Sequence, residues 1–175
     1  MLLNIILGCL FTLAGCSSSG TKPGSESLGP TPSVAEEKRI ASVDVVKAEV
    51  QPVEITVGGS AETTVRLAIQ SGYHVNANPP TFSYLIPVEL TVTPSEGISV
   101  SAISYPPGIN MKLAFSETPL AVYEGNIELK ATVKADKSAK PGQHSLAAKL
   151  RLQACDDKVC YPPGTRDLAI PLIIK

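Results

Sequence analysis

Leu146-Ala147-Ala148-Lys149-Leu150-Arg151-Leu152-Gln153 is the stretch that decides the fold. Leu146, Ala148, Leu150 and Leu152 fall on one side of an extended chain, with Lys149, Arg151 and Gln153 on the other. A period of two is the pattern of a strand with one dry face and one wet face. Upstream, Ile127, Leu129, Ala131 and Val133 oppose Glu128, Lys130 and Thr132. Val88, Leu90 and Val92 oppose Glu89, Thr91 and Thr93, and Val65, Leu67 and Ile69 oppose Thr64, Arg66, Ala68 and Gln70. Ile98, Val100 and Ala102 form a further run, Val43, Val45 and Val50 open the series, and Leu168, Ile170 and Leu172 close it. Turn formers separate these runs: Asn78-Pro79-Pro80, Pro94-Ser95-Glu96-Gly97, Pro106-Pro107-Gly108 and Lys140-Pro141-Gly142. No stretch carries a long, capped helical period. The reading is all-β: an immunoglobulin-like antiparallel β-sandwich over residues 42–175, of about seven to nine strands in two packed sheets. A net charge of −1 with no basic stripe argues against a nucleic-acid partner.

Outward toward the start, the composition changes twice. Residues 17–35 are rich in Ser, Gly, Pro and Thr and hold almost nothing large and apolar. Such a segment cannot bury a core, so residues 16–41 are expected to form a disordered tether. A flexible chain of about two dozen residues spans about 27 Å on average. Residues 1–15, MLLNIILGCLFTLAG, are apolar and uncharged. That run is shorter than the roughly 20 residues a spanning helix needs and suits the apolar region of an export signal. No Lys or Arg precedes it, which departs from the usual pattern. It ends in Leu13-Ala14-Gly15-Cys16, which resembles a bacterial lipobox. The resemblance implies cleavage before Cys16 and lipidation there, giving a lipid-anchored protein of the bacterial envelope that faces the periplasm. Ser17 at the second position implies the outer membrane rather than the inner. Two or more acyl chains give stable anchoring.

Four cysteines are present, and Cys9 would leave with the signal. The mature domain then keeps Cys155 and Cys160, at the end of the deciding strand, in Cys155-Asp156-Asp157-Lys158-Val159-Cys160-Tyr161-Pro162-Pro163. In an oxidising compartment a disulfide is the expected resting state, provided a hairpin-like return brings the Cα atoms within about 4.4–6.8 Å. Closing so short a loop is worth about 2 kcal/mol in the chain-entropy model, little to a domain with its own core. A structural staple and an exchangeable redox pair both remain open on spacing alone. Asp156 and Asp157 disfavour a nearby thiolate and Lys158 favours one. The two histidines, His74 and His144, lack the companion spacing of a zinc site with these cysteines, so no metal is expected. His74 reads as a turn residue and His144 as a strand-surface residue. Tyr-Pro-Pro-Gly occurs at 105–108 and again at 161–164, with unlike flanks, and reads as two turns of similar chemistry.

The C-x4-C-Y-P-P block resembles the family of N-terminal periplasmic domains of the thiol:disulfide interchange protein DsbD. Gly72-Tyr73-His74-Val75-Asn76-Ala77-Asn78-Pro79 is similar to a glycine–histidine–asparagine–proline turn of solitary relatives, and Val122-Tyr123-Glu124-Gly125 to a segment that follows the family's cap loop. The resemblance covers roughly residues 43–174. It implies a sandwich domain that takes electrons from a membrane-embedded partner and passes them to periplasmic thiol–disulfide proteins. It implies that Cys155 and Cys160 exchange, with Cys160 attacking the substrate disulfide and Cys155 resolving the mixed disulfide. The dithiol itself is the redox group, so no cofactor is required. The family's shielding loop falls on Lys112–Pro119, where Phe115 is either the shield or an ordinary core residue. Tyr161 either flanks the pair or anchors the Pro162-Pro163 turn. The cysteine spacing is one residue shorter than in the best-known member. Neither a membrane electron-transfer domain nor a thioredoxin-like domain follows, so a partner in trans is expected. The rival function is a non-enzymatic sandwich lipoprotein that has a structural disulfide and binds another protein through exposed strand edges.

Overall fold

In the computed structural model, which describes residues 40–175, Leu146, Ala148, Leu150 and Leu152 are all buried. The residues between them face solvent, as a period of two requires. The expected signal over 1–15, Cys16 and the tether through residue 39 lie outside the described residues. In chain order the strands are β1 (Val46–Val50), β2 (Val53–Ile55), β3 (Ser60–Ile69), β4 (His74–Asn76), β5 (Glu89–Val92) and β6 (Ile98–Ser104). There follow β7 (Ile109–Met111), β8 (Leu120–Tyr123), β9 (Asn126–Ala135), β10 (Gly142–Leu152), β11 (Ala154–Cys155) and β12 (Gly164–Ile174).

Two sheets built on the long strands make the sandwich. One is ordered β1-β3-β9-β6 and the other β2-β12-β10-β5. Their inward rows, including Val65, Leu67, Leu129, Val133, Leu146, Leu150, Ile170 and Leu172, form one buried cluster. Every pairing is antiparallel except the edge contact of β2 with β12, which is parallel. The fold is therefore an immunoglobulin-like all-β sandwich, as the alternation predicts.

The structure departs from the sequence reading in three places. A third sheet, ordered β11-β4-β8-β7, joins the expected two, and twelve strands are described rather than seven to nine. Its strands are two to four residues long, too short to register as a period. In β6 the register against β9 shifts between Val100 and Ala102. This β-bulge turns Ala102 outward and lets Ile103 pack on the core instead. His74 opens strand β4 and is buried, rather than lying in a turn. Val75, Tyr123 and Ala154 tie the third sheet to the main core, while Leu113, Leu120 and Val122 form a second cluster with Phe82, Leu85 and Met111.

The two Tyr-Pro-Pro-Gly turns prove alike in packing. A Cβ on Gly108 would stand 2.6 Å from the Cβ of Ala77, and one on Gly164 would stand 2.8 Å from a Val43 methyl. Each turn ends on a glycine because another segment passes too close for a side chain.

Candidate functional site

The chain leaves β10 at Leu152 and re-enters a different sheet one residue later. Gln153 makes the step. Its backbone carbonyl accepts the Asn76 N–H at 3.4 Å, and its side-chain amide donates to the Tyr161 carbonyl at 3.1 Å. β11 then pairs with β4, setting Ala154 opposite Val75 and Cys155 opposite His74. Both residues of β11 are buried, so the wet-face alternation ends at Gln153.

From Cys155 the chain turns back at once. Asp156 N–H donates to the Val159 carbonyl at 2.9 Å, and Tyr161 N–H donates to the Ala154 carbonyl at 2.8 Å. Between these two hydrogen-bonded rungs lies the bridge that pairs Cys155 with Cys160. A rung without hydrogen bonds is the narrow one in an antiparallel ladder. The Cα atoms stand 3.9 Å apart, closer than the range expected from sequence, and the sulfurs are joined in a disulfide. Cys155 is wholly buried and Cys160 is half-buried.

One carboxylate holds the hairpin independently of the sulfurs. Asp156 Oδ1 accepts the backbone N–H groups of Lys158 and Val159, both at 2.8 Å, and Asp156 Oδ2 accepts the Tyr161 hydroxyl at 2.7 Å. The Tyr161 hydrogen bond, followed by the two backbone bonds, holds the Asp156 carboxyl down at about 2. The same hydrogen bond pushes the Tyr161 phenol up to about 12. The Tyr161 ring packs against Tyr73 with centroids 6.0 Å apart and planes tilted by 48°. Tyr161 therefore flanks the pair as a hydrogen-bonding clamp. The buried Ser42 hydroxyl spans the base of the hairpin: it accepts the Ala154 N–H at 3.0 Å and donates to the Pro162 carbonyl at 2.6 Å.

Sequence reasoning missed His74, Asn76, Gln153 and Ser42 as members of this site. Burial lowers the His74 imidazole below its ordinary value, while Asp157, Asp156 and Glu124 act against that shift. Asn76 donates to the Ile86 carbonyl at 3.1 Å and to Gln153 Oε1 at 3.4 Å. For His74 and Asn76 the structure shows an unbroken buried run, His74-Val75-Asn76-Ala77; Gln153 and Ser42 had no such run. His144 lies elsewhere, its Nε2 2.7 Å from the Lys140 carbonyl and its Nδ1 3.6 Å from Glu96.

Phe115 sits in the loop between β7 and β8 and is 42% exposed, which excludes the core alternative. The loop from Lys112 to Glu117 lines an open cleft of ≈ 620 Å³ whose remaining wall is Asp157 of the cysteine hairpin. Loop and hairpin thus share one cleft. Tyr123 fixes the base of this region. Its hydroxyl donates to the Pro106 carbonyl at 2.8 Å and accepts the Asn78 N–H at 3.1 Å.

Residues 42–171 match the family described as thiol:disulfide interchange protein DsbD, N-terminal. Among solved structures the chain is similar to the DsbD N-terminal domain of Neisseria meningitidis in its reduced form. The two are 17% identical at a TM-score of 0.50, covering 75% of this chain and 88% of that one. It is also similar to the N-terminal periplasmic domain of ScsB from Proteus mirabilis, 15% identical at a TM-score of 0.48, covering 73% of this chain and 45% of that one. No curated protein matches the chain in sequence. The first structural likeness carries the fold.

Asp156→Ala should bring the Tyr161 phenol down from about 12 toward the ordinary value near 10, as read by ultraviolet absorbance against pH. The Asp156 carboxyl titrates below its ordinary 3.8, so its hold on the hairpin is complete above pH 3.8 and lost as pH falls through about 2. The amide signals of Lys158 and Val159 in nuclear magnetic resonance should move over that acid window and stay still above it.

Proposed function

This chain belongs to the family of the N-terminal domain of the thiol:disulfide interchange protein DsbD, and from that premise we propose that it is a thiol–disulfide exchange domain whose redox group is the Cys155–Cys160 pair. The observation that carries the reading is the asymmetry of the pair: Cys160 is half-buried and Cys155 is wholly buried. An incoming thiolate must reach a sulfur along its own path, so the half-buried Cys160 is the sulfur that meets the partner. Cys155 then serves as the resolving cysteine. The partners are other thiol–disulfide proteins of the periplasm, one donating electrons and one accepting them.

Phe115 is the shield in this reading. An aromatic left exposed at a loop tip, on the cleft shared with the hairpin, gains by folding over the sulfurs and gives way when a partner docks. The reading places the domain on a lipid at Cys16, in the outer membrane, with residues 16–41 as the tether and residues 42–175 as the working domain. An anchor of this kind concentrates the domain near membrane-bound partners without a covalent link.

The reduction potential tests the proposal. The full chain is equilibrated with glutathione and dithiothreitol buffers, and alkylation is scored peptide by peptide at Cys155 and Cys160. Structural disulfides sit below about −300 mV, and this pair is expected above that value. A pair that resists reduction in these buffers would overturn the exchange reading and leave a stapled binding module. In a Cys155→Ser variant, Cys160 should accumulate a stable mixed disulfide with its partner. Trapping through Cys155 in a Cys160→Ser variant would reverse the assignment. Phe115→Ala should raise the rate of reduction by dithiothreitol on the order of tenfold, the equivalent of losing a closed-loop contact of about 1.4 kcal/mol. An unchanged rate would remove Phe115 from the shielding role.

A further inference from the structure

Strand β4 carries two polar atoms that nothing described in the protein satisfies: His74 Nε2 and Asn76 Oδ1 are buried without a hydrogen-bond partner among the described residues. An unpaired buried polar group is destabilising, so one kept in a core calls for a reason. His74 is only 3% exposed, and it is the residue set directly opposite Cys155 in the β4–β11 ladder. Directly opposed residues of an antiparallel pair project to the same face, with Cβ atoms about 4.5–5.5 Å apart. The pairing sets the imidazole and the cysteine side chain on one face, and in the disulfide form His74 Nε2 makes no hydrogen bond to the sulfur. A sulfur held in a disulfide is a poor acceptor, while a thiolate is a good one.

We infer that His74 Nε2–H is the donor that receives the Cys155 sulfur when the disulfide opens, making His74 a catalytic residue of the exchange. The inference rests on the exchange reading for its purpose. Its geometric content, a hydrogen bond between His74 and Cys155 sulfur, stands apart from it. In the first step a partner thiolate attacks Cys160 Sγ. The partner–Cys160 bond forms, the Cys155–Cys160 bond breaks, and the electron pair leaves on Cys155 Sγ. That sulfur is wholly buried, where a bare thiolate is strongly disfavoured, and the imidazole N–H meets it there. In the second step the partner's other thiolate attacks the partner sulfur of the mixed disulfide. Cys160 is released as a thiolate, the partner ends as a disulfide, and this chain ends as a dithiol two electrons richer. Run in reverse, the same hydrogen bond favours the Cys155 thiolate that resolves a mixed disulfide.

The charged groups around His74 sharpen the need. Asp156 and Asp157 on the hairpin and Glu124 just beyond β8 lie near enough to act on the His74 charge, and negative charge near Cys155 disfavours a thiolate there. Lys158 is the one cation in the hairpin, and it lies on the exposed turn. Burial lowers the His74 pKa and so favours the neutral imidazole, which with its proton on Nε2 donates to the sulfur without forming an ion pair with the acids.

The test removes the disulfide and so does not depend on its potential. In the full chain carrying Cys160→Ser, Cys155 is a free thiol. Its pH midpoint is read by peptide-resolved alkylation with iodoacetamide, which separates it from Cys9 and Cys16. Adding His74→Phe keeps a ring in the site and removes the donor; adding His74→Gln keeps a donor at the equivalent reach. His74→Phe should raise the midpoint by about one unit, a tenfold loss of thiolate at fixed pH. His74→Gln should restore most of it. A midpoint unmoved by His74→Phe, or moved equally by both substitutions, would overturn the inference, because a packing role would not distinguish Phe from Gln in this way. Should His74→Phe fail to fold, His74→Gln compared with His74→Leu decides the same question. A high-midpoint result in the His74 variants alongside an irreducible disulfide in the unaltered chain would sink the exchange reading and leave the hydrogen bond standing.

Discussion

Gln153 is where the chain leaves one sheet for another, and the arrangement of the cysteine pair depends on that step being held. If β10 ran on in register, Cys155 would lie on the wet face of the long sheet, far from β4. Instead Gln153 bonds Asn76 on one side and the Tyr161 carbonyl on the other. Those contacts fix β11 beside β4 and draw the returning limb of the hairpin against it. Ser42 closes the base from the amino-terminal side, bonding one residue just before Cys155 and one two residues after Cys160. Three segments distant in sequence thus converge on a hairpin whose turn is only four residues long.

The hairpin does not rely on its disulfide for shape. Asp156 ties the backbone of Lys158 and Val159 and the side chain of Tyr161, and the rungs at Asp156–Val159 and Ala154–Tyr161 flank the cysteines. Closing so short a loop covalently contributes about 2 kcal/mol in the chain-entropy model. The buried rows of β3, β9, β10 and β12 supply the core that holds the domain together. These hydrogen bonds hold the two cysteines opposite each other in addition to the covalent bond.

The long strands were legible because each has one face in the core and one in water, so the side chains themselves report the period. Leu146 to Leu152 and Val65 to Ile69 are the clearest instances. The third sheet carried no such report. β4 is buried on both faces, β11 is two residues long, and β7 and β8 flank a loop. His74 therefore read as part of a turn beside Asn78-Pro79-Pro80, though it begins a strand. Ala102 was misassigned for a related reason: a bulge at Ser101 breaks a period that the apolar residues alone continue. The cysteines were legible as a pair from their spacing, while their exchange role and the aromatic candidate at Phe115 came from the family resemblance. What spacing could not supply was the neighbour across the ladder, because His74 and Cys155 are brought together by pairing between strands and not by any local pattern.

Burial and charge divide the two cysteines into unlike partners, and the division follows from where each sits on one short hairpin. Cys155 belongs to β11, the edge strand of the third sheet, where it pairs with His74 of β4 and is fully buried. Cys160 belongs to the outer limb, which is bridged to β11 but followed by Pro162 and Pro163. Neither proline has an N–H to pair, so the outer limb cannot extend the sheet and stays at the surface. A further strand against Cys160 would bury it and make the pair symmetric. The prolines therefore do more than end a strand. By denying the outer limb a ladder, they leave Cys160 partly exposed while Cys155, paired with β4, is fully buried.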